Sequence, residues 1–484
     1  MTAEAANVDS IYQDRHSLWR QTREESLLNP ALMTHAYQKS FTELDVKTDY
    51  RKQTDAFCME EGTGLFIPEV AARSFIRLTR SSVVWGQAAY ANGKQYNKVY
   101  NNVADFNLLY PDIIADSLGG DTHRERYLFS GGYAAERGKW HLGGELKFRA
   151  EQEFRTYDPR MRSVVSDLTL RAGVGRVVGK YTVGIWGERN IYRQTADVDF
   201  YGEANGMGEL QMTGLGTSYV RFSGSNRDIF YQGKGGTLAA DIVPKSENGW
   251  FGHLSWGMYQ YERLSDEYNS MPLTTLYRQQ RGLTVGWKQQ AERKEKAFMI
   301  HAAYDKRASD EHIAGSASGQ DYPILTSLTM YKQHVWDINA TALYGQSQWR
   351  LLMRAGFLTH RESYAYVERK IEYARVYGDV TAQWLTSVRK DLKLNIFGKA
   401  GYEGNVSHKI LMPYANMTLG IKNYIQHNYK YQKASYAHVQ AGARADYKRE
   451  KWMVGIYGQL ATAWQFCSEG EHESNLHLAI GIVF

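Results

Sequence analysis

Cysteine and proline are scarce in this chain: two Cys and eight Pro in 484 residues. Two thiols cannot staple a disulfide-dense scaffold or build a Cys-rich zinc module. No apolar run reaches about 18 residues, which excludes a transmembrane helix. Charge of one sign is missing too. The 58 Lys and Arg are interspersed with 52 Asp and Glu, without a basic run, so no nucleic-acid surface is indicated. The patterns Gly-x-Ser-x-Gly and His-Glu-x-x-His and the phosphate loop do not occur. No catalytic residue, metal or cofactor is therefore expected. The N-terminus lacks the apolar core of a signal peptide. Ala3, Ala5 and Ala6 before Asn7-Val8-Asp9-Ser10 suit the start of a mature exported chain.

Aromatics and glycine are plentiful: 35 Tyr, 17 Phe, 12 Trp and 44 Gly, at a polar mean hydropathy of −0.52. So many rings argue against disorder. With few prolines and no visible linker, they suit one large β-structure with short turns. Period-two alternation runs from about residue 40 to the end. In Trp140–Arg155, Trp140, Leu142, Gly144, Leu146, Phe148 and Ala150 share one face. His141, Glu145, Lys147, Arg149, Glu151, Glu153 and Arg155 share the other. Successive strand side chains point oppositely, so this strand has one apolar face and one charged face. Near residue 350, Leu351, Met353 and Phe357 oppose Arg350, Arg354 and His360. Further on, Leu394 and Ile396 oppose Lys393 and Lys399, and Val439, Ala441 and Ala443 oppose Arg444.

Short polar links, such as Glu136–Lys139 and Val388–Asp391, alternate with longer segments near 92–124, 194–233, 264–276, 307–330 and 404–433. Short turns on one rim and long loops on the other are the organisation of a transmembrane β-barrel. The first outward position after a short turn is aromatic at Trp140, Tyr181, Trp250, Phe298, Trp349 and Trp452, the pattern of an interfacial girdle. Leu392 is the exception. The chain ends Leu476, Leu478, Ile480, Ile482, Phe484 in alternation. This resembles the terminal strand signal read by the outer-membrane barrel insertion machinery. The patterning predicts 18 antiparallel strands within a range of 14–18, from 41–51 to 474–484. Residues 216–224 and 408–424 are either extra strands or loop hairpins. Residues 1–40 are a periplasmic tail or a segment folded into the lumen, and residues 41–484 form the barrel.

Residues 105–175 carry a family resemblance, through Tyr110-Pro111, Ala115–Asp121, Phe129–Ala134, Gly138-Lys139-Trp140, Asp158-Pro159-Arg160 and Val165–Leu168. With Asn29-Pro30-Ala31-Leu32-Met33, this stretch resembles a Bacteroidota outer-membrane barrel family of unassigned function, a DUF-type family of chains near 500 residues. The resemblance implies a location in the bacterial outer membrane, with contact to lipid and lipopolysaccharide, and supplies no site residues. Asn29-Pro30-Ala31 also resembles the N-terminal motif of FadL-type barrels, where it implies part of a lumen plug.

The lumen-facing candidates are Glu145, Lys147, Arg149, Glu151, Glu153, Arg155, Arg350, Arg354, Lys393, Lys399 and Arg444. They line either a selective polar pathway or a merely salt-bridged wall. Asp158, Pro159 and Arg160 shape either a constriction or plain loop architecture. If Phe41 faces Phe484 at the closing seam, the antiparallel register brings Cys58 opposite Cys467, and a disulfide across the seam is expected. The leading functional expectation is a channel or uptake component for an unidentified solute. The chain is too short for a 22-strand barrel with a full plug domain. A non-conducting accessory subunit, with an outer-membrane protein or lipoprotein as partner, is the second reading. A barrel hydrolase using one of the strand histidines His141, His253, His301, His334, His360 or His438 is the third.

Overall fold

The computed structural model describes residues 12–201, 209–219, 228–246, 248–266, 270–291, 294–316, 322–414, 417–448 and 454–484. Eighteen antiparallel strands form one sheet that closes on itself. Each strand pairs with its neighbour in the chain, and the first (Phe41–Gln53) pairs with the last (His472–Val483). Closure is what lipid requires, because hydrocarbon offers no partner to an unpaired backbone N–H or C=O. Burial is inverted relative to a water-soluble protein. On Trp140–Phe154 the outward Leu142 and Leu146 are exposed, whereas the inward His141, Glu151 and Glu153 are buried.

Outward rings at Trp140, Trp250, Phe298 and Trp349 stand exposed just after the short turns, and Tyr181 is half-buried there. The sixth expected girdle residue, Trp452, lies outside the described residues. Leu476, Leu478 and Ile480 face outward on the last strand, and Phe484 is exposed at its end.

Three expectations need correction. First, several strands run well past the apolar band; Ile324–Gln346 has 23 residues. The expected long segments near 264–276 and 307–330 are largely strand, within Gly249–Ser265, Met271–Ala291 and Lys294–Ala314. Backbone pairing continues towards the long-loop rim, where inward Met271, Leu273 and Leu276 pack on the inserted loops and the apolar-out, polar-in alternation fades.

Second, no described residue of 216–224 or 408–424 adds a further barrel strand: 408–411 prolong the strand Leu392–Leu411, and 217–218 belong to a loop hairpin, one of the two forms expected. Thr217–Ser218 joins Leu210–Gly214 and Ile114–Ala115 in a small inner sheet. Beyond Leu411 the chain forms a helix, Leu419–Gln432, capped where the Thr418 hydroxyl accepts the Ile421 N–H. Its buried Tyr424, Ile425 and Tyr431 fall on helical spacing.

Third, the seam disulfide is not formed, and both thiols are free. Glu43 faces Val483, one residue out of the expected register, and the pairing ends at Gln53 and Glu473. Cys58 therefore lies beyond the ladder, in the loop before the Met59–Glu61 turn, where its Sγ is 3.1 Å from Glu60. Cys467 pairs with Tyr436 on the other side of its strand. A constant-register argument fails once the chain leaves the ladder.

Candidate functional site

The middle of the lumen is an open chamber lined by paired charges. Inward Arg73, Lys147 and Arg354 keep 51, 44 and 43% of their side-chain exposure although they point into the barrel, so this level is open space that water can enter. The charges pair along and across strands. Arg171 binds Glu188 at 2.6 Å, Arg354 binds Asp379 at 2.8 Å, and Lys399 reaches Asp379 at 3.5 Å. Lys47 and Arg126 share Glu69 at 2.9 Å each, and Glu145 holds Lys147 at 3.3 Å.

The short-turn end of the chamber is occupied by residues 12–40. The Leu18–Ser26 helix and the Pro30–His35 turn lie against inward residues from around the wall. Leu18 and Trp19 pack with Ala297 and Leu343, and Leu32 packs with Val243, Phe251 and Met299. Gln383 accepts the Leu18 N–H at 2.8 Å and donates to the His16 carbonyl at 2.7 Å. Arg77 donates to the carbonyls of Thr34 and Tyr37. Asn29 is fully buried; its side-chain oxygen accepts the Ala31 N–H at 3.0 Å and its amide donates to Ile185 O at 3.3 Å. The wall beneath this turn is glycine. A Cβ at Gly143 would lie 2.4 Å from Pro30 O, and one at Gly173 would lie 2.0 Å from Asn29 Oδ1. The segment approaches the wall backbone this closely because no wall side chain intervenes.

The long-loop end is filled by segments 54–63, 99–119 and 209–219 together with the Leu419–Gln432 helix. They form the largest buried apolar cluster, including Val103, Ile113, Ile114, Met212, Tyr331 and Ile425. Loops brought inside carry carbonyls that no ladder satisfies, and each needs a donor. The wall supplies guanidinium groups. Arg155 donates to Pro159 O at 3.0 Å and pairs with Asp116 at 3.1 Å. Arg263 donates to Met212 O at 2.9 Å, Arg307 to Tyr110 O at 3.1 Å, and Arg369 to Leu215 O at 3.0 Å. Lys98 divides its donors between Val103 O at 2.8 Å and Glu153 at 2.6 Å. Below this cap lies a cavity of about 230 Å³, lined in part by Glu60, Tyr110, Arg307, His360, Glu362 and Tyr424.

The candidate residues divide accordingly. Glu145, Lys147, Arg354 and Lys399 face the chamber. Arg149, Glu151, Glu153 and Arg155 belong to the cap: Arg149 pairs with Asp105 of the inserted loop at 2.6 Å, and Glu151 with Arg149 at 2.9 Å. Arg350, Lys393 and Arg444 lie towards the N-terminal segment. Arg350 pairs with Glu295 at 2.8 Å, Lys393 stands 5.3 Å from the Tyr12 ring, and Arg444 reaches both Glu43 and Asp446. Asp158 accepts the Tyr201 N–H and Arg160 lies 4.6 Å over the Tyr201 ring, a tight link between strands. Of the arginines that hold the loops, Arg155 was a candidate from sequence, whereas Arg263, Arg307 and Arg369 were not singled out, because their partners are carbonyls far along the chain. The glycine floor was missed for the same reason.

The strand histidines do not assemble a hydrolytic triad among the described residues. His253 pairs with Asp241, His301 meets Thr284, and His360 stacks on Tyr373. His312 is sandwiched between the hydroxyls of Ser327 and Thr275, each at 2.7 Å.

One carboxyl of the cap is poised to titrate. Burial pushes Asp112 up to about 7, opposed by the charge of Arg263 and by hydrogen bonds from Ser309 and Thr274, with Glu311 adding to the rise. A carboxyl raised in the folded state contributes stability below its unfolded value, and that contribution is lost as pH rises towards 7. The cap is therefore expected to hold more tightly at pH 5 than at pH 8, with the difference abolished in Asp112→Asn. Protease cleavage within residues 99–119 at the two pH values measures this. Equal cleavage rates would count against it.

An apolar belt, an aromatic girdle, full closure and asymmetric rims define a transmembrane β-barrel of the outer-membrane type, here with segments filling both ends of its lumen. Within that class the chain belongs to the family of unknown function DUF6850, whose model matches residues 30–484. No curated protein matches the sequence. Among solved structures, the chain is similar at a low level to the following. The ferric preacinetobactin receptor BauA of Acinetobacter baumannii is 10% identical with a TM-score of 0.46, over 92% of this chain and 80% of that one. The outer membrane protein opdK of Pseudomonas aeruginosa is 8% identical with a TM-score of 0.34, over 92% and 100%. A FadL homologue of the same organism is 10% identical with a TM-score of 0.31, over 95% and 93%.

Proposed function

We propose that this barrel is a normally closed uptake component of a bacterial outer membrane, and that residues 12–40 are its movable plug. One observation carries the reading: an open, ion-paired chamber lies between two separate closures. A structural wall has no need of an open interior, whereas a solute path has. The cavity under the cap is the proposed entry site. Two buried carboxylates, Glu60 and Glu362, take hydrogen bonds there from Tyr424 and Tyr331, which suits a small solute rich in hydrogen-bond donors. Planar-bilayer recording tests the reading. The intact protein is expected to be nearly silent, and a variant weakened at both closures, Arg77→Ala with Arg263→Ala, to conduct. Silence in that variant, with the fold intact, would favour the non-conducting accessory subunit, which the closure at both ends also accommodates.

We further propose that the outer wall engages anionic lipid head groups near the long-loop rim. Lys306, His334 and Arg361 are register partners on adjacent strands, above the outward pair Tyr304 and Trp336. They lie about 12 residues from the short turns, roughly the length a tilted strand needs to cross the apolar band. Replacing Lys306 and Arg361 by Gln is expected to reduce retention of phosphate-bearing lipid in native mass spectra several-fold. Unchanged retention would refute the assignment.

A further inference from the structure

We infer that His35, Glu136 and His141 form a divalent transition-metal site that clasps the N-terminal segment to the barrel wall. Glu136 and His141 face each other across a short-turn hairpin, as inward register partners. His35 ends the Pro30–His35 turn and reaches them from the inserted segment. His35 Nε2 lies 3.5 Å from Glu136 Oε1, and His141 Nδ1 lies 3.8 Å from the same oxygen. All three donor atoms fall within 4.8 Å of one another. Bonds of about 2.1 Å in a tetrahedral site set its ligands roughly 3.4 Å apart, so the cluster needs only a small contraction to take an ion.

A second observation points to a ligand independently. His141 is 4% exposed, and its Nδ1 is buried without a hydrogen-bond partner. An orphaned imidazole nitrogen is costly in this setting and is relieved by an ion at that position. The His35 side chain keeps 44% of its exposure, which leaves a route in from solution.

Two imidazoles and one carboxylate select a borderline ion such as Zn²⁺ over Ca²⁺ or Mg²⁺, which prefer oxygen cages. A water molecule completes a tetrahedral shell. One ligand comes from the segment and two from the wall, so the ion binds the docked arrangement and stabilises it by mass action. The inference deepens the plug reading, since it gives that segment a regulator.

The test uses the full chain in detergent, stripped with chelator and titrated with Zn²⁺ alone by calorimetry. One equivalent is expected to bind, with at least a tenfold loss of affinity in His35→Ala and in Glu136→Gln. His35 is half-exposed, so its variant retains the fold. Co²⁺ in place of Zn²⁺ is expected to give the intense visible bands of a tetrahedral site in the parent and not in His35→Ala. Zn²⁺ is also expected to slow proteolysis of residues 12–40 at least fivefold. Stoichiometric binding that persists in the His35→Ala, His141→Ala double variant would overturn the site, as would the absence of binding in the parent. Binding and slowed proteolysis, with no conductance under any condition, would leave the clasp standing and remove the uptake reading.

Discussion

Gly173→Leu is expected to drive the N-terminal segment out of the lumen. The first carbon of any side chain there falls 2.0 Å from the Asn29 oxygen, inside the closest approach of real atoms. Asn29 is fully buried and held by the Ala31 N–H and the Ile185 carbonyl, so it has no room to yield. Overpacking alone costs about 1–3 kcal/mol. Losing the bonds that Asn29 makes adds about 1 kcal/mol for each. Docking of one short segment cannot absorb that sum, while an 18-strand barrel can. Residues 12–40 are therefore expected to pass from protease-resistant to fully cleaved with the barrel still folded. Conductance is expected to stay low, because the loop-side closure is untouched. Unchanged protection would mean that the segment is not seated on the glycine floor.

Breaking the buried pair Lys98–Glu153 should have the largest effect on stability. Both side chains are essentially fully buried and 2.6 Å apart. Glu153→Gln leaves the Lys98 ammonium without its counter-charge, an exposed cost of about 3–5 kcal/mol for a pair broken from one side. Lys98 also holds the Val103 carbonyl, so the cap is expected to loosen along with the wall. The double variant Lys98→Met, Glu153→Leu removes both charges and is expected to recover most of the loss. Urea unfolding of the three proteins measures this. A single variant as stable as the parent would show that the pair is hydrated rather than buried.

Legibility in the sequence followed the range of the interactions involved. The strands, the lipid-facing residues and the girdle could be read because period-two alternation is local and repeats with every hairpin. The inward direction of Glu145 to Arg155 could be read too. Their division between chamber and cap could not, since it depends on where Asp105 and Asp116 arrive after a long loop. The Leu419–Gln432 helix hid inside a segment read as loop or strand, because its apolar residues are few and half of them are tyrosine. The free cysteines show the opposite error: a rule valid along a ladder was carried past the ladder's end.

The short N-terminal segment touches strands spread around most of the circumference, from Gly143 and Gly173 through Phe251 and Leu343 to Gln383 and Asp446. These surfaces exist together only once the first and last strands have met. Although it precedes the barrel in the chain, the segment must therefore be the last part to find its place during assembly. Its acquisition of protease resistance then serves as an intrinsic clock for barrel completion, readable without any label on the wall.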